Sequence, residues 1–304
     1  MINLLANALL MSTPLLFGSV AEVLAERSGM MVTAIEGIFL IGAFSGFVGA
    51  YACKSLLVGL AAALGSGVVV AALYGWITVY LKQHQVVTGT AINILVAGLC
   101  SFLMRVFFGV PVIPLTVEPL KKLPIPLLSG IPLLGPILFA QNALTYAAYL
   151  IVPVAWFVLY RTSLGLTIRS AGDNPEAVDV AGEDVDALRF SLVLVAGAMG
   201  GIAGAFYSIG YLGMFTTNII GGRGWIAFAI CFLGNWNPLG ALAGTLVFGV
   251  AEAVAISMQS SGGGQLVPNE LLIALPYILT IALTMARRSF NVPGKLGVPY
   301  AKEG

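Results

Sequence analysis

Glu252 stands in the apolar run Leu246-Val-Phe-Gly-Val-Ala-Glu-Ala-Val-Ala-Ile256, the most consequential setting for a titratable group in this chain. A carboxylate inside such a run must be paired, neutralised or turned toward water. Two uses fit: lining a conduit through a helix bundle, or hydrogen-bonding a neighbouring helix. Asn93, in another apolar run, offers a donor and an acceptor to a sugar hydroxyl or a base edge, and equally to a second helix. Glu36 opens a third run, where a favourable interaction with a helix N-terminus accounts for it. Covalent chemistry finds no support. His84 is the sole histidine and lies between Gln83 and Gln85, which argues against metal binding and catalysis. Cys53, Cys100 and Cys231 stand apart, without Cys-x-x-Cys spacing, and read as free thiols. A membrane-embedded enzyme needs paired carboxylates, a His-Glu-x-x-His helix or a nucleophile beside a histidine, and one loop histidine argues against all but the first. There is no G-x-x-x-x-G-K-[ST] phosphate loop, since Gly294-Lys295 is followed by Leu296. No catalytic residue, metal site or cofactor site is assigned to this chain.

The elements that must position these residues are membrane helices. The 304 residues are 59% hydrophobic and 9% charged, against about 25% charged in soluble domains. The fold class is all-α: a polytopic integral membrane helical bundle forming one transmembrane domain over residues 1–304. A formal charge of +1 excludes a basic nucleic-acid surface. A helix crossing the hydrocarbon needs ~20 apolar residues. That ruler gives spans near 2–20, 35–53, 56–81, 86–108, 141–160, 188–210, 218–236, 240–258 and 270–288, about nine passages within a range of 8 to 10. The start, Met1-Ile-Asn-Leu-Leu, lacks a basic n-region, so its apolar stretch is expected to remain as a span. Arg161, Arg169 and Arg189, with Arg287, Arg288, Lys295 and Lys302, place the central loop and the tail inside. Counting from them puts Lys82 inside, and the N-terminus and the segment 109–140 outside, with Lys121 and Lys122 against the bias. Gly42 and Gly46, Gly197 and Gly201, Gly200 and Gly204, and Gly240 and Gly244 each stand four apart, on one helix face, and predict close packing. The segments 42–51 and 197–206 share Gly, Ala and aromatic positions, a weak repeat compatible with two parallel halves or with coincidence.

One interruption, from Arg161 to Arg189, is polar and carries six of the 13 carboxylates. Asn174-Pro175 opens a short helix there: Asn174 can accept from free N–H groups, Pro175 suits the first helical position and Gly182 suits the end. Ala177, Val178, Ala181 and Val185 make an apolar stripe, and Glu176, Asp179, Glu183, Asp184 and Asp186 a charged one. So short a helix needs a packing partner. The segment reads as a docking surface.

Several segments, in order, resemble one family. Ala25-Glu-Arg-Ser-Gly29 with Ile35-Glu-Gly37, Val86-Val-Thr-Gly-Thr-Ala-Ile-Asn93, Gly165-Leu-Thr-Ile-Arg-Ser-Ala-Gly-Asp-Asn-Pro-Glu-Ala177 with Ala181-Gly182, Arg223-Gly-Trp-Ile-Ala227, Trp236-Asn-Pro-Leu-Gly240 and Phe248-Gly-Val-Ala-Glu252 are similar to the permease subunits of bacterial ABC importers for branched-chain amino acids and simple sugars, especially the nucleoside branch. The resemblance implies a type II importer permease in the bacterial cell membrane. It would pair with a second permease subunit, receive substrate from an extracellular binding protein and dock a cytoplasmic ATPase, which carries ATP and Mg. The docking residues it implies are Gly172, Asp173, Asn174, Pro175, Glu176, Ala177, Ala181 and Gly182, and the candidate substrate pathway includes Asn93 and Glu252. Nucleosides are the expected cargo, with simple sugars or branched-chain amino acids as alternatives. Ser261-Gly-Gly-Gly-Gln265 superficially resembles an ABC ATPase signature but follows a span on the outer side, and reads as a loop. The rival of another class is an ion-coupled secondary transporter titrating Glu252, which leaves the capped acidic loop unexplained.

Overall fold

The computed structural model describes residues 2–109, 114–132, 134–260, 269–286 and 289–301. The expected tail residues Arg287, Arg288 and Lys302 and the segment Ser261–Gln265 lie outside the described residues. Among the described residues twelve α-helices follow one another: α1 Ile2–Glu26, α2 Ile35–Cys53, α3 Leu56–Gly75, α4 Gln85–Phe108, α5 Leu134–Leu138, α6 Ala143–Arg161, α7 Ser163–Asp173, α8 Pro175–Val180, α9 Val185–Ala205, α10 Arg223–Leu233, α11 Pro238–Ser260 and α12 Asn269–Ala286. Seven of them are long and apolar enough to cross a membrane: α1, α2, α3, α4, α6, α9 and α11, with α3 and α9 counted through the turns that extend them. α12 is an 18-residue helix. Helices are the necessary solution, because lipid offers no partner for an open backbone group.

The expected helical span at 218–236 is corrected. Its helix, α10, has 11 residues, about 16 Å at 1.5 Å per residue, roughly half of a 30 Å hydrocarbon core. The run of glycines before it explains the break: Gly213, Gly221 and Gly222 have φ of 69°, 57° and 85°, backbone angles that side chains with a Cβ disfavour. The stretch from 213 to 222 is therefore non-helical, and α10 begins inside the bundle.

α1 is the central strut and is buried along most of its length. Ser12 shares a hydrogen bond with Tyr149 at 2.9 Å, and Thr13 donates to Thr145 at 3.0 Å, tying α1 to α6. α2, α3 and α9 meet backbone to backbone at small residues. A Cβ on Gly42 would lie 2.3 Å from the Gly201 carbonyl oxygen, and one on Gly67 2.3 Å from that of Gly197. Such approach supplies packing that apolar bulk does not, since lipid is as apolar as leucine. The segments 42–51 and 197–206 thus pack against each other. α3 and α9 both end in a π-helical turn, Trp76–Tyr80 and Phe206–Leu212, a deviation frequent at functional sites.

The polar interruption is more ordered than a loop. Thr162 caps α7 by accepting from Gly165 N, Asn174 caps α8 by accepting from Ala177 N at 3.2 Å, and Asp184 caps α9 by accepting from Ala187 N. Gly182, at φ 93°, ends the turn after α8. Lys82 pairs with Asp186 at 2.6 Å, placing the α3–α4 turn at the same end of the bundle. Residues 291–300 return to this end as well. Lys295 N donates to Gly172 O, Gly297 N to Gly29 O, and Tyr300 packs with Ala171, Val178 and Val185.

Candidate functional site

The broken helix creates a polar junction in the interior. The first N–H groups of α10 have no partner within their own helix, and Glu36 supplies one: Oε1 accepts from Gly222 N and Oε2 from Gly224 N, both at 2.8 Å. A carboxylate at the positive end of the helix dipole is also favourable electrostatically. Gly224 is required by the closeness, because a Cβ there would lie 2.7 Å from Glu36 Cα. Arg223 opens the same helix and pairs with Glu252 of α11. Its Nε and Nη2 donate to Glu252 Oε1 at 2.8 and 2.5 Å. Nη1 donates to the Ile220 carbonyl at 3.1 Å, and the guanidinium lies over the Tyr207 ring, 5.3 Å from its centroid. Tyr277 donates to Gly221 O at 2.8 Å. Two carboxylates thus meet one guanidinium and one helix N-terminus, so the junction carries little uncompensated charge.

Asn93 belongs to the same junction from the α4 side. Its Oδ1 accepts from Gly37 N at 2.8 Å and its Nδ2 donates to Thr33 O at 2.9 Å. The amide bridges two helices at the residue after Glu36 and thereby fixes where that carboxylate points. Glu252 and Asn93 come together around α10, the first through an ion pair and the second through the start of α2.

At the loop end, the residues from Gly172 to Gly182 divide by burial. Gly172 and Pro175 are buried and Val178 faces inward, whereas Glu176, Ala177, Ala181 and Gly182 are exposed and Val180 is 89% exposed. A Cβ at Gly172 would lie 2.2 Å from Arg27 O, and Asp173 Oδ1 accepts from Gly294 N at 3.1 Å. Val185 does not extend the stripe of α8; it starts α9 and is buried. Behind this face lies Arg189, 2% exposed, which donates to the carbonyls of Ser28, Ala171 and Val298. One guanidinium therefore joins the α1–α2 turn, the end of α7 and the tail.

Sequence reasoning missed this arginine's role, that of Arg27, and two carboxylates. α1 runs past the expected end of its span at residue 20 to Glu26, and Glu22 and Glu26, one turn apart, are both fully buried. Trp236 Nε1 donates to Glu26 Oε2 at 2.5 Å, while both oxygens of Glu22 and Oε1 of Glu26 have no hydrogen-bond partner among the described residues. Acidic residues four apart at the end of an apolar run were the readable signal. Among the described residues no group of three or more His, Cys, Asp or Glu side chains could hold a metal, and Cys100 and Cys231 are buried while Cys53 is exposed.

Seven helices long and apolar enough to cross a membrane, a short helix that starts at a charged junction and a capped polar surface at one end belong to a multi-pass membrane protein. The family model described as branched-chain amino acid transport system / permease component matches residues 4–284, and the chain belongs to that family. Its members are permease components, so the chain's role is in transport and not in catalysis. The nucleoside ABC transporter permease protein NupC of Lactococcus lactis subsp. cremoris is 35% identical over 98% of this chain and 96% of its own. The guanosine ABC transporter permease protein NupQ of Bacillus subtilis is 34% identical, covering 97% and 95%, and the putative glucose ABC transporter permease protein TsgC13 of Haloferax volcanii is 31% identical, covering 95% and 93%. No solved structure matches the chain.

Proposed function

We propose that this chain is the membrane-spanning subunit of an ATP-driven importer for nucleosides. The observation that carries the reading is similarity at 34 to 35% over nearly the whole chain to two permeases named for nucleosides and guanosine. The junction around α10 is compatible with it. Arg223 is paired with Glu252 and Glu36 caps a helix, so the described residues of the junction leave little fixed charge to demand a charged solute. The pairing also weighs against a secondary transporter that titrates Glu252. The substrate path runs along this junction, with Glu252 beside it and Asn93 holding Glu36 in place. ATP and Mg belong to a cytoplasmic ATPase subunit, which docks on the exposed face of α8 through Glu176, Ala177, Val180 and Ala181. A second, homologous permease subunit and an extracellular binding protein complete the complex in the cell membrane. A sugar cargo is the second reading, favoured by the likeness to TsgC13.

The test is uptake of labelled uridine or guanosine by cells carrying the whole complex, with unlabelled nucleosides, ribose, glucose and leucine as competitors. Competition by nucleosides alone is the expected result. Competition by glucose or ribose alone installs the sugar reading, and competition by leucine alone removes both.

A further inference from the structure

Above the junction, toward the end of the bundle opposite α8, α1, α11 and the π turn of α9 line a partly open cleft of about 280 Å³, at which Asn3, Asn7 and Tyr211 are exposed. We infer that this cleft is a solute subsite, in which Asn3, Asn7 and Tyr211 hydrogen-bond the hydroxyl groups of a neutral, nucleoside-sized solute before it reaches the Arg223–Glu252 pair. The inference rests on the nucleoside reading above.

Three observations carry it. The first is chemistry: two amides and the Tyr211 hydroxyl stand along the cleft against Met11 and Ala253, and no described residue lining it is charged. Asn3 and Asn7 stand one helical turn apart, on one face of α1. Each amide presents a donor and an acceptor, the set that a pair of adjacent hydroxyls needs. The side chains of Asn3, Asn7 and Tyr211 are exposed and make no hydrogen bond with described residues, so a solute entering the cleft competes for them with water alone. The second is position. Ala253 follows Glu252, and Tyr211 lies four residues beyond Tyr207, whose ring faces Arg223. The cleft thus borders, on α11 and on the π turn, residues adjacent in sequence to the charged pair, which itself lies deeper and does not line it. The third is the backbone: Tyr207 and Tyr211 both sit in the π turn Phe206–Leu212, the kind of local irregularity that bundles keep where side chains must be re-aimed for function. The volume falls at the small end of ligand sites, which run from about 300 to 1,000 Å³. It suits one furanose with part of its base, the rest of the solute extending through the open side.

The test is a cycle of one substitution against one solute change, in proteoliposomes holding the whole complex with its ATPase and binding protein. Transport of uridine and of 2′,3′-dideoxyuridine is measured for wild type and for Asn7→Ala, at saturating loaded binding protein. Comparing each variant with wild type for the same solute cancels the binding protein's own preference. Uridine transport is expected to fall about tenfold in Asn7→Ala, the worth of one hydrogen bond, with dideoxyuridine transport unchanged. Tyr211→Phe, which keeps the ring, is expected to show the same selectivity and guards against a folding defect in the first variant. Equal losses for both solutes, or no loss for either, overturn the inference. A wild-type complex that transports ribose and no nucleoside overturns the nucleoside reading instead, and the same cycle with ribose and 2-deoxyribose then judges the cleft.

Discussion

Arg27 donates through Nε to the Trp236 carbonyl at 2.7 Å and through Nη2 to the Asn235 carbonyl at 3.3 Å, so the turn after α1 grips the turn after α10. The other side of that grip is the proposed coupling surface, since Gly172 packs on the Arg27 carbonyl and Arg189 on that of Ser28. α10 is a single rigid half-helix between Trp236 at the loop end and the Glu36 cap inside the bundle. A shift of α7 and α8 has a short mechanical route to the junction.

Arg27→Ala removes the grip without touching the exposed face of α8. Transport is expected to drop at least about tenfold while ATP hydrolysis by the complex persists, which lowers solute moved per ATP. Arg27→Lys, with one charged group able to reach one carbonyl, is expected to recover part of the ratio. An unchanged ratio in Arg27→Ala would remove Arg27 from the route.

Gly182 and Ala177 test the proposed docking face itself. Gly182 has φ 93°, which proline, fixed near −65°, does not adopt; Gly182→Pro should disorder the end of α8. Ala177→Arg places a long cation on an exposed position instead and leaves the cap intact. Both variants are expected to insert in the membrane, lose transport and fail to copurify the ATPase. Normal copurification would reduce α8 to a connector.

How much of this was readable depends on the range of the interaction. The cap at Asn174 and the stop at Gly182 involve partners within three residues, and the sequence spells them out. Helix positions followed from apolar length, because lipid enforces it. The break before α10 was hidden by the same ruler: hydropathy over 218–236 stays high although Gly221-Gly-Arg-Gly224 signals an interruption. The partners of Arg223, Glu26 and Arg189 lie 29, 210 and up to 161 residues away, and no local pattern encodes such pairings. Asn93 read equally well as ligand or bridge until Thr33 and Gly37 were seen at either end of its amide.

The Arg223–Glu252 pair separates stability from function. Removing one partner of a buried pair typically costs about 3 to 5 kcal/mol, because the other charge is left uncompensated; Glu252 is 9% exposed and its pair is partly screened, so about 2 kcal/mol is expected for Glu252→Ala. Arg223→Met combined with Glu252→Leu should regain that stability, read as the thermal unfolding midpoint in detergent. Transport should remain lost if the pair serves the pathway. A double variant that is both stable and active would make the pair structural only.

Trp236→Phe isolates the indole bond to Glu26. The ring is fully buried and stacks edge-on with Phe232 at 4.9 Å, so phenylalanine keeps most of the packing and loses only the N–H. Leaving Glu26 without its donor should destabilise the fold by about 1 to 3 kcal/mol. Trp236→Phe with Glu26→Leu should recover the loss, since removing both polar partners is nearly neutral. A single variant as stable as wild type would show that Glu26 finds another donor.

Sidedness is the assumption behind both the proposed docking face and the solute cleft, and two exposed residues decide it. Leu127 is 94% exposed in the segment after α4, and Val180 is 89% exposed at the tip of α8. The basic residues Arg161, Arg169 and Arg189 vote for α8 inside, against a weaker opposing vote from Lys121 and Lys122. The pairing of Lys82 with Asp186 and the return of the tail to Gly172 join further parts of the chain to the α8 end. With Cys53, Cys100 and Cys231 replaced, Leu127→Cys in intact cells should react with an impermeant thiol reagent, and Val180→Cys should react only after the membrane is opened. The reverse pattern would turn the bundle over, placing the cleft at Asn7 on the cytoplasmic side and removing α8 from reach of any ATPase.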